Sequence, residues 1–145
     1  MGNYEFYQLV GALRVAHNLE EVSLAVKITD ADRVASQNAH EAVAGVLPNW
    51  PNLRLLRLPD VPPPGGRVLD AIDMLCAQPP VHLQVLKIPG VDSVGAANAL
   101  VRAVRDHLPQ LTHLDLRPSS AIAPTVISDL RAILQTRSAH AELTE

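Results

Sequence analysis

The sequence predicts an α/β chain built as a short open solenoid, a parallel four-stranded sheet with helices along its convex side. Two observations carry this expectation. An aliphatic hexad of the form L-x-x-L-x-L occurs four times, spanning residues 19–24, 53–58, 83–88 and 111–116, with starts 34, 30 and 28 residues apart. Each interval carries apolar residues at three- and four-residue steps, the period of an amphipathic helix. A recurrence of about 30 residues leaves room for one strand and one helix per unit, and such units bury their apolar faces only by stacking on one another.

The elements follow in order. Phe6, Leu9, Val10 and Leu13 give an opening helix over about residues 4–17. The first hexad is the first strand, Leu19 to Leu24, and the helix after it, 31–47, presents Val34, Ala35, Ala39, Ala42, Val43, Val46 and Leu47, with Thr29 or Asp30 as N-cap. A second strand at 53–58 is followed by a Pro-Pro-Pro-Gly-Gly loop at 62–66 and a helix over 67–77 carrying Val68, Leu69, Ile72, Leu75 and Cys76. After the third hexad, a helix opened by Asp92 or Ser93 presents Val94, Ala97, Val101, Val104 and Leu108. The fourth hexad leads to a helix capped near Ser119 or Ser120, with Pro124 in its first turn and Ile122, Val126, Ile127, Leu130, Ile133 and Leu134 on one stripe. Prolines at 48, 51, 79, 80 and 109 mark the returns to strand, because proline ends a helix and leaves its predecessor extended. The expected organisation is one domain over 1–145, with the units over 18–136 and a frayed tail over 138–145.

Composition limits the function. With 145 residues, 48% hydrophobic and 19% charged, the chain can bury a core. A net charge of −3 and 3% aromatic residues supply neither the basic excess nor the stacking platforms of nucleic-acid binding. No apolar stretch reaches the roughly 18 residues needed to span a bilayer. The first residues lack a basic region before an apolar core, and Phe6 stands where a myristoylation signal has Ser or Thr, so neither export nor lipidation is expected. The single cysteine, Cys76, closes no intramolecular disulfide and belongs to no Cys-x-x-Cys pair, which points to a reducing, cytoplasmic setting and to a small hydrophobic role for Cys76 itself.

The four hexads and the Leu-Pro-x-Leu lead-in before the fourth resemble the leucine-rich repeats of ribonuclease-inhibitor-like and F-box-associated arrays, over about residues 9–134. The chain departs from that pattern after each hexad. Lys27, Val61, Val91 and Ser119 stand where such repeats often carry Asn or Cys, so a divergent array is expected: a fragment, a truncated product or a chain that caps itself with Tyr4 to His17. The resemblance implies a protein-binding module using the concave sheet face, such as the recognition part of an F-box-type ubiquitin-ligase adaptor.

Strand alternation names that face. With the leucines pointing inward, third-position Glu21, Leu55, Val85 and His113, fifth-position Ser23, Arg57, Lys87 and Asp115, and seventh-position Ala25, Pro59, Pro89 and Arg117 face outward. Expected partner-binding residues are Glu21, Leu55, Arg57, Val85, Lys87, His113, Asp115 and Arg117, and the apolar and basic centre suits a protein with an acidic, partly apolar face. The competing reading is a solvated sheet surface, its long basic side chains shielding their apolar neighbours.

Other readings are weaker. His113 and Asp115 share a strand face but have no third ligand or nucleophile in sequence, so no catalytic residue, metal or cofactor is assigned. Pro89 to Gly95 lies where a phosphate loop would, yet lacks the Gly-Lys-Ser/Thr ending and reads as a turn with a helix cap. Trp50 is either an interface anchor or, the preferred reading, a plug for the helix-to-strand loop. Alternatives to a binding module are a self-stacking repeat and an enzyme on a doubly wound sheet; the latter would bury Glu21, Arg57, Lys87 and Asp115.

Overall fold

The structure, a computed structural model, describes residues 3–13, 16, 18–23, 43, 45–58, 68–89, 91, 93–117 and 122–144. Helix α1 (Asn3–Leu13) precedes strand β1 (Glu21–Ser23). Helical Gly45 and Val46 run into a 3-10 turn (Leu47–Asn49) ahead of β2 (Leu55–Arg57). Then come α2 (Val68–Ala77), β3 (Val85–Lys87), α3 (Val94–Arg102) with a π-helical continuation (Ala103–His107), β4 (His113–Asp115), α4 (Pro124–Gln135) and β5 (Glu142–Thr144).

The strands form one open, all-parallel sheet in chain order, β1 to β5. The hexads explain its register. The carbonyl of each hexad's second residue accepts two N–H groups from the next: Glu20 from Arg54 and Leu55 (2.7 and 3.0 Å), Arg54 from Gln84 and Val85 (2.7 and 2.9 Å), Gln84 from Thr112 and His113 (both 3.0 Å). A turn precedes each of these strands, with Leu53 donating to Trp50 O (3.2 Å), Leu83 to Pro80 O (3.0 Å) and Leu111 to Leu108 O (3.2 Å). The prolines sit in or beside these turns, where no ladder N–H is required.

The aliphatic residues place the core. Val22, Leu56, Leu86 and Leu114, at the centres of β1 to β4, are buried, as are Leu53, Leu58, Leu83, Ile88, Leu111 and Leu116 at the hexad ends. They form a single cluster with Ile72 and Leu75 of α2, Leu100 of α3, and Leu130 and Leu134 of α4. Burying each such side chain contributes about 1.5–3 kcal/mol. The flanking strand residues are exposed or half-buried, so the opposite sheet face carries no covering layer among the described residues. A doubly wound sheet would carry helices on this face, and among the described residues none covers it.

Several expectations are corrected. The sheet has five strands, because Glu142–Thr144, within the supposed frayed tail, pairs with β4: Glu142 N–H donates to Thr112 O (3.0 Å) and Leu116 N–H to Thr144 O (2.8 Å). Helix α1 is described as far as Leu13, and Ala16 lies outside it. Val94 is 76% exposed and leaves the buried stripe of α3. That stripe runs through Ala96, Ala97 and Leu100, and Val94, two residues before Ala96, lies about 200° round the helix from it. Helix α4 opens at Pro124 on Ala123, without a side-chain cap. Pro89, expected on the open face, is buried. The third helix opens as read on Ser93, whose Oγ accepts the Ala96 N–H at 3.1 Å, a cap worth about 1 kcal/mol. The side chain of Phe6, most of the 31–47 helix, the proposed caps Thr29, Asp30, Asp92, Ser119 and Ser120, the 62–66 loop, Ala25, Lys27, Pro59 and Val61 lie outside the described residues.

Candidate functional site

Strand pairing turns the two outward positions of the hexad into two rows. Glu21, Leu55, Val85, His113 and Glu142 are aligned residue against residue across the five strands, and so are Ser23, Arg57, Lys87, Asp115 and Thr144. Seven of the eight residues expected to bind a partner therefore lie in these rows, and Arg117 stands two residues after the end of β4. Glu21, Arg57 and Arg117 are exposed, while Leu55, Val85, Lys87, His113 and Asp115 are half-buried.

The concavity is displaced from the expected centre. A cavity of 290 Å³ is lined by Val85 and Lys87 of β3, His113 and Asp115 of β4, Glu142 and Thr144 of β5, and Arg117. Leu55 and Arg57 adjoin it on the next strand, and Glu21 lies at the far edge of the sheet. Glu142 and Thr144 were missed because their strand has only one hexad leucine.

A second cavity, of 260 Å³, was also missed. It is lined by Glu20, Asn52, Arg54, His82, Gln84 and Gln110 at the N-terminal ends of the strands. These residues hold the second hexad position and the position just before the hexad, so the same repeat alignment exposes them as a row. Arg54 Nη2 donates to Glu20 Oε2 at 3.0 Å in an exposed pair, which contributes little to stability.

One ion pair is built into the rim. The Asp115 carboxylate accepts the Arg117 backbone N–H at 3.0 Å, its Nε at 3.2 Å and its Nη2 at 3.1 Å. The Arg117 guanidinium thereby holds the Asp115 carboxyl below the usual carboxylate range, against the opposing effect of partial burial, and Lys87 on the neighbouring strand acts in the same direction. A depressed folded-state value means that the pair's stabilisation is present above about pH 4 and is lost as pH falls through the folded-state value. Arg117→Gln is expected to move the Asp115 titration upward toward the ordinary range, as read by carboxyl NMR; an unmoved titration would show that the pair is not made in solution.

Acid–base partnership between His113 and Asp115 is not supported by their contacts. His113 Nδ1 lies 2.9 Å from Thr112 Oγ1, and both Asp115 oxygens are held by Arg117. Among the described residues, no three His, Cys, Asp or Glu side chains come together to hold a metal ion, and no helix is long and apolar enough to cross a membrane. Cys76 is half-buried on α2, its thiol pushed up first by burial and then by Asp73. Trp50 is buried and takes the packing role.

Compared with known proteins, the chain matches no family model and, at a significant level, no curated sequence.

Proposed function

We propose that the chain is a divergent leucine-rich-repeat module that binds another protein on the concave, uncovered face of its sheet, without catalytic chemistry of its own, in the cytoplasm. The observation that carries this reading is the in-register pairing of Leu55 with Val85 and of Arg57 with Lys87 on a sheet face with no covering layer among the described residues. All-parallel sheets are ordinarily covered on both faces, so an uncovered one has a surface free for a partner. Two like charges held about 4.8 Å apart repel one another unless solvated or met by acidic groups. The favoured partner has an acidic, partly apolar surface. Recognition within an F-box-type ubiquitin-ligase adaptor is the particular form that the family resemblance suggests.

The test is capture of proteins from the native source by the purified chain and by Arg57→Glu/Lys87→Glu. The double variant is expected to fold with an unchanged circular dichroism spectrum and to lose its partner by at least about tenfold, since reversal replaces attraction with like-charge repulsion. Equal capture by both proteins would sink the reading.

A further inference from the structure

Every junction in the sheet is built alike. The N–H of a strand's third hexad position donates to the second-position carbonyl of the strand before it: Leu55 to Glu20 (3.0 Å), Val85 to Arg54 (2.9 Å), His113 to Gln84 (3.0 Å) and Glu142 to Thr112 (3.0 Å). β1 and β5 stand at the two ends of the strand order. The third-position N–H of β1, on Glu21, and the second-position carbonyl of β5, on Ala141, are thus the two halves of one more such junction. The core also thins toward β5. Val22, Leu56, Leu86 and Leu114 are buried at the centres of the first four strands, whereas Leu143 is half-buried. Helix α1 precedes β1 as α2, α3 and α4 precede β3, β4 and β5, so a copy arriving through β1 brings the helix that belongs beneath the new junction.

We infer that the outer edge of β5 fits the β1 edge of a second copy of this chain, head to tail, and that Glu142 and Glu21 hold the two copies apart. Continuing the register places Leu143 opposite Val22, Thr144 opposite Ser23 and Glu142 opposite Glu21. The first pair extends the apolar layer, and the second sets two hydroxyls across from one another, a favourable cross-strand pair. The third brings two exposed carboxylates to strand spacing, about 4.8 Å, where like charges repel. Nothing in their row offsets that repulsion. Glu21 has Leu55 beside it and Glu142 has His113, the row carries no lysine or arginine, and among the described residues neither carboxylate is in a salt bridge. Charged residues on edge strands are a common guard against unwanted pairing, and here the guard on each edge matches the one it would meet on the other. Addition at the edge lengthens the sheet without covering its open face, so it is independent of partner binding there.

The test is a charge swap in the whole chain, read by sedimentation velocity up to about 200 µM, with circular dichroism as the check on folding. The unsubstituted chain is expected to stay monomeric. Glu142→Lys and Glu21→Lys each turn the repulsion into attraction and are expected to self-associate at least about fivefold more tightly than the unsubstituted chain. In Glu142→Lys, amide exchange at Glu21 is expected to slow as the chain associates, because that N–H gains the Ala141 carbonyl of the neighbouring copy. The double variant Glu21→Lys/Glu142→Lys restores like charges and is expected to return to monomer. Either single variant suffices for the comparison if the other does not fold. Single variants that remain monomeric overturn the inference, as does a double variant that associates as well as the singles. Association that leaves exchange at Glu21 unchanged overturns it too, since the contact then lies elsewhere.

Discussion

Replacing Trp50 by alanine is expected to remove about 3–5 kcal/mol of folding stability, among the largest single effects available in this chain. The indole is 1% exposed and belongs to the central cluster. Trp50 follows the 3-10 turn and precedes β2, and its Nε1 donates at 3.0 Å to the carbonyl of Leu13, the last residue of α1. The side chain therefore fills the space under a helix-to-strand return and ties the first helix to the second hexad. Truncation opens a cavity that neighbours held by the strand register cannot readily close. Trp50→Phe separates the two contributions: it keeps most of the apolar volume and loses the indole hydrogen bond. Because the Leu13 carbonyl still accepts the Ala16 N–H at 3.0 Å, that loss is expected to be about 1 kcal/mol, in addition to the volume lost. Urea titrations would show lower midpoints with an unchanged slope. A loss below about 1 kcal/mol in Trp50→Ala would contradict the burial described for this residue.

The strands were legible in the sequence because four hexads have aliphatic residues at all three inward positions, and alternation then assigns the remaining positions to one face. The fifth strand was not legible for the complementary reason. Aligned on β4, the segment from His140 to Glu145 reads His-Ala-Glu-Leu-Thr-Glu, so Leu143 alone remains of the three inward residues. An edge strand has a neighbour on one side only, and with fewer side chains to bury it can hold its place through backbone pairing and one leucine. Its lead-in turn is also shifted by one residue, with Ala141 rather than the first hexad residue donating to Ser138 O at 3.2 Å. No aliphatic spacing reports such a strand.

The site was partly legible in the same way. Register alone brought Leu55, Arg57, Val85, Lys87, His113 and Asp115 together. The self-pairing of Asp115 with Arg117 was hidden, because spacing places both residues on one face without showing that a side chain folds back two residues to a carboxylate. That pairing changes the reading of the face. It withdraws one anion and one cation together from the surface available to a partner and leaves Arg57 and Lys87 on β2 and β3, with Glu21 and Glu142 on the outer strands. The polar row from Asn52 to Gln110 was overlooked because strict alternation counts outward positions from the third hexad residue, whereas the strand proper begins there and the residues before it are in a turn.

The second large expected effect concerns Arg137, which no motif marks. It follows α4, and its guanidinium reaches back to the preceding unit: Nη1 donates to Leu108 O at 2.7 Å and to Leu111 O at 3.0 Å, and Nη2 donates to Val104 O. These carbonyls lie at the end of the π-helical turn and in the return to β4, where a helix leaves acceptors without intrahelical donors and its dipole favours a cation. Partial burial lowers the guanidinium's pKa from its usual value, yet an arginine remains charged at any pH where the chain is folded. Arg137→Ala removes three charge-assisted bonds at once and is expected to cost about 2–4 kcal/mol, less than three full bonds because water replaces some of them and Leu108 O still accepts from Leu111 N–H. Arg137→Lys is expected to recover less than half, since one ammonium cannot span three carbonyls as a planar fork does. The effect has a location as well as a size. Arg137 lies between α4 and β5, so amide exchange should accelerate first at Glu142 and Leu116, the N–H groups that pair β5 with β4. Uniform acceleration across all strands would mean that the last unit is not held separately by this side chain. A stability loss under about 0.5 kcal/mol would mean that the three bonds are not made in solution.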